Sequence, residues 1–170
     1  MNEPAFKMEW ISQICIVVKD LDKSMEAYWR IFGVGPWRVS TLGPETATEL
    51  TCRGKPGSFH LRIGQASIGE LALELIQPLD GDTLHKEFLE KFGEGVQHLC
   101  VRTKGFEEAR DRMCATGYQV IQSASGTGVT ADGAHAYFDT AAELGVVFEM
   151  SSPPTTWRAD SWYPAPPTEA

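Results

Sequence analysis

The sequence predicts an α+β fold made of two tandem βαβββ modules, and three observations lead to this prediction. Short runs rich in β-branched residues alternate with amphipathic helical segments and glycine-containing turns. The order of one strand, one helix and three strands occurs twice along the chain. The two copies can also be aligned with each other from their first strand to their last. We therefore expect one domain that arose by internal duplication.

The first module is predicted at residues 9–80. Residues 11–20 are rich in β-branched side chains and predict a buried strand. Apolar residues then recur at helical spacing from Leu21 to Phe32, behind Asp20 as a candidate N-terminal cap. Three further strands are expected at residues 36–42, 58–67 and 70–79, and a strand edge with a loop at 46–57.

A connecting helix is predicted at residues 82–93, with Thr83 as its candidate cap, and the second module at 95–152. This module repeats the pattern: a strand, a helix that buries one apolar side, and three strands. Its elements are expected at residues 96–103, 105–117, 118–124, 133–140 and 145–150, with a turn at 141–144 and a glycine-rich loop at 123–133. A tail rich in proline and tryptophan, expected to be extended, occupies residues 153–170.

The alignment of the two copies brings four polar residues to equivalent positions. Gln13 aligns with His98 and Glu74 with Glu149, with about ten residues more loop or connection in the first copy. Equivalent positions meet near a pseudo-twofold axis. A carboxylate within an apolar strand is costly to bury unless it is paired or bound to a cation. The mixed nitrogen and oxygen donors suit Zn, Ni, Co, Mn or Fe(II).

Composition excludes several other classes of protein. The net charge of −8, from 15 basic against 23 acidic residues, argues against nonspecific nucleic-acid binding. The apolar runs are too short to cross a membrane, and the first residues lack the order of a signal peptide. We therefore expect a cytoplasmic protein without nucleic-acid or membrane partners. We also expect a small-molecule substrate and a homodimer. The four cysteines form no CxxC pair, and Cys15 and Cys100 are interpreted as small buried apolar side chains.

Four segments resemble the vicinal oxygen chelate superfamily, also called the glyoxalase, bleomycin resistance and extradiol dioxygenase group. They are QICIVVKDLDKSMEAYWRIFG, ELIQPL, GVQHLCVRT and GVVFEM, and the resemblance spans residues 10–150. It implies a curved mixed sheet around a cleft that holds a divalent metal. Carried over, the metal ligands are Gln13, Glu74, His98 and Glu149. This ligand set is similar to that of eukaryotic-type glyoxalase I, whereas the flanking sequence is more similar to methylmalonyl-CoA epimerase.

The resemblance implies an isomerase, epimerase or lyase that deprotonates a carbon next to a metal-bound carbonyl through an enolate. Glu149 is the first candidate base and Glu74 the second. The additional acid of the epimerases has no counterpart in residues 54–63, where His60 is the only candidate to replace it. One alternative is a metal-free binding or resistance protein of the same fold. A dioxygenase is a less favoured alternative, since Gln13 stands where dioxygenases carry a histidine.

Substrate contacts are expected from residues near the cleft. Arginine can orient a carboxylate or phosphate by paired hydrogen bonds. The loop at 123–133 is a candidate lid. The tail aromatics Trp157, Trp162 and Tyr163 are expected to pack across the cleft mouth or on a second subunit. The candidate substrate-binding residues are Arg38, Trp37, Arg102, His135 and Tyr137.

Overall fold

One mixed sheet of eleven strands forms the framework of the computed structural model, which describes residue 4 and residues 6–102 and 105–165. In the first module the elements are β1 (Trp10–Val17), α1 (Leu21–Phe32), β2 (Trp37–Leu42), β3 (Glu49–Cys52), β4 (Lys55–Pro56), β5 (His60–Ile68) and β6 (Leu71–Asp80). The connecting helix is α2 (Leu84–Phe92). The remaining elements are β7 (Gly95–Arg102), α3 (Phe106–Ala115), β8 (Val120–Thr127), β9 (Gly133–Phe138), α4 (Ala141–Leu144), β10 (Val147–Ser152) and β11 (Ser161–Tyr163).

The two modules meet at the centre of the sheet, where β1 runs antiparallel to β7. Gln13 lies opposite Cys100, Cys15 lies opposite His98, and Ile14 lies opposite Leu99. A pseudo-twofold axis between Ile14 and Leu99 would exchange Gln13 with His98 and Cys100 with Cys15. The observed pairing has this symmetry. Strand β1 also pairs in parallel with β6, as β7 does with β10. The predicted α+β fold with two βαβββ modules is confirmed.

Both central strands carry an extra residue at the same place. The pairing of β1 with β7 shifts between Ile11 and Gln13 and again between Cys15 and Ile16, which leaves Ser12 and Gln97 without a partner opposite. Each of these β-bulge residues directly precedes a candidate ligand, Gln13 or His98. A bulge re-aims the side chains beside it. The duplication therefore includes the local irregularities of the strands as well as their order.

The helices α1 and α3 cover one face of the sheet, whereas α2 packs against part of the opposite face. Leu21 and Met25 of α1 pack in a core cluster with Leu73 and Leu75 of β6. Because side chains alternate along a strand, Glu74 between them faces the opposite side. Helix α3 packs in the same way against β7, β9 and β10. The candidate ligands are thus on the face that carries no α1 or α3.

The outer edges of the sheet are completed by segments that cross between modules. The hairpin of β3 and β4 belongs to the first half of the chain but pairs with β8 of the second module. In return, β11 in the tail pairs with β2 of the first module. Residues 46–57 were expected only as a strand edge and loop, and their pairing partner was not predicted. Pairing at a distant sheet edge has no periodic signal in the sequence.

Two smaller details differ from the expectations. Residues 141–144 form the short helix α4 where the sequence predicts a turn. The end of the strand expected at 96–103 and the last five residues of the expected tail lie outside the described residues. In the part of the chain that the structure describes, no helix combines the length and apolar character needed to span a bilayer.

Candidate metal site in the cleft

The face of the sheet opposite α1 and α3 encloses a cavity of about 860 Å³ between the two modules. Polar side chains from both modules reach it, along with the loops at 43–48 and 126–131 and the start of the tail. The lining residues that matter for chemistry are Gln13, Gln65, Glu74, His135, Tyr137 and Glu149. His98 is fully buried beside two of these, Glu74 and Glu149. The structure therefore brings the four predicted ligands together at one cavity.

His98 and Glu149 form the part of this cluster that lacks hydrogen bonds. His98 Nε2 lies 3.1 Å from Glu149 Oε2 and 3.6 Å from Glu74 Oε2. Within the described residues neither His98 Nε2 nor Glu149 Oε2 has a hydrogen-bond partner, although both atoms are buried. Buried polar atoms are costly when they are unpaired. At this distance the two atoms form an ion pair when His98 is protonated, and they can act as two ligands of one cation when it is not.

Gln97 orients the imidazole of His98. Its Oε1 lies 2.6 Å from His98 Nδ1, and an amide oxygen can only accept, so Nδ1 donates its proton to Gln97. This leaves Nε2 as the metal-binding nitrogen. Neighbouring residues in a strand normally point to opposite faces, and the bulge at Gln97 lets these two side chains meet. An outer hydrogen bond of this type fixes the ring of a metal-binding histidine.

Glu74 and Gln13 are held in a separate hydrogen-bond network. Gln13 Nε2 donates to Glu74 Oε2 at 2.8 Å. Gln65 Nε2 donates to Gln13 Oε1 at 3.0 Å and to Glu74 Oε1 at 2.6 Å. Arg38 in turn donates to Gln65 Oε1. Both oxygens of Glu74 are thus engaged, in contrast to Glu149.

Gln65 was not predicted, although the sequence holds a signal for it. Gln65 lies opposite Glu74 in the pairing of β5 with β6, and Tyr137 lies opposite Glu149 in the pairing of β9 with β10. The two residues therefore occupy equivalent positions in the duplicated modules. Aligning Gln65 with Tyr137, in addition to the two aligned pairs of candidate ligands, would have identified this glutamine as a candidate site residue.

The charges of the cluster stabilise one another. Burial disfavours the charged imidazole of His98, but Cys15, Glu149 and Glu74 hold its pKa well above the ordinary value. Burial likewise opposes the ionised form of Glu149, and His98 outweighs it and lowers the pKa of that carboxyl. The site therefore favours a positive charge between the imidazole and the carboxylates. A divalent cation held by Gln13, Glu74, His98 and Glu149 meets this requirement, and these donor types suit Zn, Ni, Co, Mn or Fe(II).

Two further buried residues lie at the cluster and were not predicted as part of it. Cys15 Sγ, a carboxylate oxygen of Glu74 and a ring nitrogen of His98 lie within 4.8 Å of one another. Burial, as the main cause, raises the pKa of the Cys15 thiol to about 12. His85 of α2 contacts His98 edge-on, with 5.8 Å between the ring centroids. Burial holds the pKa of His85 well below its ordinary value, so this ring is neutral.

The structure separates the candidate substrate-binding residues into two groups. His135 and Tyr137 line the cavity, and their rings lie edge-on with 5.4 Å between the ring centroids. Arg38 is bonded to Gln65 and stacks on Trp157, which also lines the cavity. In contrast, Trp37 is fully buried in the core beneath α1, and burial there serves packing. We therefore do not retain Trp37 as a substrate-binding residue.

Arg102, the fifth candidate substrate-binding residue, is the last residue of β7. It lies opposite Trp10 of β1 and is not among the residues that line the cavity. Arg102 lies four residues beyond His98 at the end of β7, so sharing a strand face with His98 does not bring its side chain to the cavity wall.

The glycine-rich loop and the tail form one wall of the cavity. Val129 N donates to Thr156 O at 3.0 Å, and Thr155 N donates to Asp132 Oδ1 at 3.1 Å. A Cβ at Gly128 would collide with Pro154, so the close approach of loop and tail requires glycine there. The candidate lid is thus hydrogen-bonded to the tail, and Trp157 of the tail lines the same cavity.

His60 is held between two carboxylates at the edge of the cavity. Its Nδ1 lies 2.9 Å from Asp80 Oδ1, and its Nε2 lies 3.1 Å from Glu45 Oε2. Hydrogen bonds to Asp80 and then to Glu45 raise the pKa of His60. A Cβ at Gly43 would collide with the His60 ring. His60 is therefore engaged by both ring nitrogens, and the acid that lines the cavity here is Glu45.

We expect His60 to titrate above 6.5, the ordinary value for histidine, in proton NMR spectra of the folded protein. Since its folded-state pKa is raised, its contribution to stability is complete below pH 6.5 and is lost as pH rises through the folded-state pKa. Replacing Asp80 by asparagine removes the largest cause and should lower the titration midpoint. An unchanged midpoint in Asp80→Asn would contradict this assignment.

Comparisons with known proteins agree with this architecture. The profile of the Glyoxalase/Bleomycin resistance protein/Dioxygenase superfamily matches residues 12–138. No curated protein matches the sequence. The fold is similar to methylmalonyl-CoA epimerase from Mycobacterium tuberculosis, with a TM-score of 0.65, 19% identity, and coverage of 86% of this chain and 89% of that one.

Two other solved structures are similar to the same extent. A variant of Streptomyces coelicolor methylmalonyl-CoA epimerase in complex with 2-nitronate-propionyl-CoA has a TM-score of 0.67 and 20% identity, over 89% of this chain and 99% of that one. A hypothetical protein from Bacillus halodurans C-125 has a TM-score of 0.65 and 20% identity, over 88% of this chain and 97% of that one. Since the profile match extends over most of the two modules, the chain belongs to the Glyoxalase/Bleomycin resistance protein/Dioxygenase superfamily.

Proposed function

We propose that the protein is a divalent-metal-dependent isomerase or epimerase that removes a proton from a carbon next to a carbonyl group, through an enolate. One observation carries this proposal. Gln13, Glu74, His98 and Glu149 converge at the cavity from equivalent positions of the two modules, and one buried atom each of His98 and Glu149 has no hydrogen-bond partner within the described residues. A metal bound there supplies Lewis-acid stabilisation of the charge that develops on the substrate oxygen.

Glu149 is the proposed base. Its Oε2 has no hydrogen-bond partner among the described residues, whereas both oxygens of Glu74 accept hydrogen bonds. Glu149 lines the cavity, and its lowered pKa keeps it ionised at neutral pH. The proton that leaves the substrate carbon is transferred to the Glu149 carboxylate, and its return to the same or a neighbouring carbon completes an isomerisation.

The cavity offers a weaker candidate for a second base, which would act on the opposite face of the substrate carbon. Glu45 lines the cavity but accepts a hydrogen bond from His60, and His60 itself is engaged by Asp80. An isomerase or lyase that uses Glu149 alone therefore fits the cavity as well as an epimerase does. His135 and Tyr137 are proposed to contact the substrate, and Arg38 to orient an anionic group on it, together with Trp157.

A metal-free binding protein is the second candidate, and one observation favours it. Gln13, Gln65, Glu74 and Arg38 satisfy one another by hydrogen bonds without any cation. Such a closed network would serve to shape a pocket for a ligand. The unpaired atoms of His98 and Glu149 favour the metal-dependent enzyme.

Metal analysis combined with proton exchange tests the proposal. Protein purified without chelator is expected to hold one transition metal per chain. It should also exchange the α-proton of an acyl-CoA such as methylmalonyl-CoA, the ligand of one similar structure, in deuterated water. Removal of the metal should abolish the exchange. Protein that neither retains nor binds metal on titration would exclude the enzyme and leave the binding protein.

The homodimer and the cytoplasmic location also belong to this proposal. Met8, just before β1, and Trp10, at its start, are 42% and 51% exposed, which favours contact with a second copy. Light scattering of the purified protein tests the dimer, and fractionation of cells tests the location.

A further inference from the structure

Cys15 lies at the centre of the cluster and has no role in the proposed reaction. It stands on β1 directly opposite His98, and it is fully buried. Its Sγ lies within 4.8 Å of a ring nitrogen of His98 and of a carboxylate oxygen of Glu74, which also lie within that distance of each other. Sulfur, imidazole nitrogen and carboxylate oxygen are the ligand atoms that zinc takes in proteins.

Two neighbours of Cys15 have atoms that are available to a cation. His98 Nε2 and Glu149 Oε2 are buried and unpaired within the described residues, so both point to a missing ligand. Gln13 is less available than its position implies, because its Oε1 already accepts a hydrogen bond from Gln65 and its Nε2 donates to Glu74. Cys15 lies two residues further along the strand, on the same face as Gln13.

The duplicated module provides an internal comparison. Cys100 is the counterpart of Cys15 across the pseudo-twofold axis, since each lies opposite the other module's ligand residue. Cys100 Sγ, however, lies 3.1 Å from Ser151 Oγ, and this thiol is therefore engaged by a hydroxyl. Cys15 Sγ instead lies within 4.8 Å of a ring nitrogen of His98. The two thiols therefore differ: among the described residues Cys15 groups with His98 and Glu74, whereas Cys100 lies against Ser151 and near Glu149.

We propose that Cys15 supplies a thiolate ligand to the divalent metal bound by His98 and Glu74. The inference rests on the proposed metal-dependent function and deepens it by adding sulfur to the donor set. The thiol proton is released to solvent when the sulfur binds the metal. A site with a thiolate favours zinc or cobalt(II) over manganese, because manganese prefers oxygen ligands.

Cobalt(II) substitution of the full chain tests the inference without an activity measurement. The cobalt protein is expected to show an intense thiolate-to-cobalt charge-transfer band in the near ultraviolet. The band should disappear in Cys15→Ser and persist in Cys100→Ser, which is the matched control. In the unmodified zinc protein, X-ray absorption should show one sulfur neighbour at about 2.3 Å, distinct from nitrogen and oxygen neighbours at about 2.0–2.2 Å.

The outcomes separate this inference from the proposed function. Stoichiometric cobalt binding without the band, or a band that survives in Cys15→Ser or is lost in Cys100→Ser, would overturn the role of Cys15 and leave the metal site intact. Failure of the unmodified protein to bind cobalt or zinc would overturn both. If Cys15→Ser does not fold, the zinc spectrum of the unmodified protein decides, and absence of a sulfur neighbour rejects the inference.

Discussion

The Glu149→Gln variant is expected to lose proton exchange by about 10²–10⁴-fold, the usual contribution of a positioned general base. Glutamine keeps the shape of the side chain and an oxygen donor for a cation, but it cannot accept the substrate proton. Exchange of substrate protons with deuterated solvent, followed by NMR, measures the effect directly. Metal content must be measured on the same samples.

Glu74→Gln is the matched control for this variant, because Glu74 occupies the equivalent position of the first module. Both of its oxygens accept hydrogen bonds from Gln13 and Gln65, so it is less free to accept a proton. We expect a smaller loss of exchange in Glu74→Gln than in Glu149→Gln. Full exchange in Glu149→Gln at full metal occupancy would remove Glu149 as the base, and an equal loss in both variants would show that the two carboxylates act together.

The second large effect is expected on metal affinity. His98→Ala removes the one imidazole among the four proposed ligands. We expect the affinity for zinc to fall by more than about 100-fold, since loss of an outer hydrogen-bond partner alone costs about 10–100-fold. Competition with a coloured chelator measures the affinity. Gln97→Leu should lower the zinc affinity by about 10–100-fold, because it removes only the acceptor for His98 Nδ1 and lets the ring turn.

Thermal unfolding of both variants without metal provides the control. Folded His98→Ala with unchanged zinc affinity would contradict the site. Gln97→Leu with the affinity of the unmodified protein would show that the bulge, and not the hydrogen bond, orients the imidazole. The two variants therefore separate the ligand from the residue that positions it.

Much of the fold follows from patterns within single segments. The helix at Leu21–Phe32 is defined by its apolar spacing, by Asp20, whose side chain accepts from Lys23 N, and by Gly33, which adopts a left-handed conformation with φ of 67°. The four candidate ligands were predicted because two copies of one pattern lie in the same chain. A polar residue that is uninformative in one copy becomes informative when its counterpart is polar too.

The remaining site residues depend on contacts that no local pattern encodes. Gln97 reaches His98 only because a bulge shifts the pairing by one residue, and bulges leave no periodic trace in the sequence. Glu45 meets His60 through a loop, and His85 reaches His98 from a helix that was expected only to connect modules. Trp37 was expected in the cleft because it follows α1, but it packs in the core beneath that helix.

The sequence by itself determined the two modules, the equivalence of Gln13 with His98 and of Glu74 with Glu149, and the chemical type of the candidate ligands. These features rest on side-chain alternation and duplication, which are properties of short stretches of chain. The tertiary structure alone decided which of these donors stay unpaired and that Cys15 stands opposite His98. It also decided that the β3–β4 hairpin and the tail close opposite edges of the sheet. Such decisions depend on the register between distant strands, where a shift of one residue exchanges the two faces.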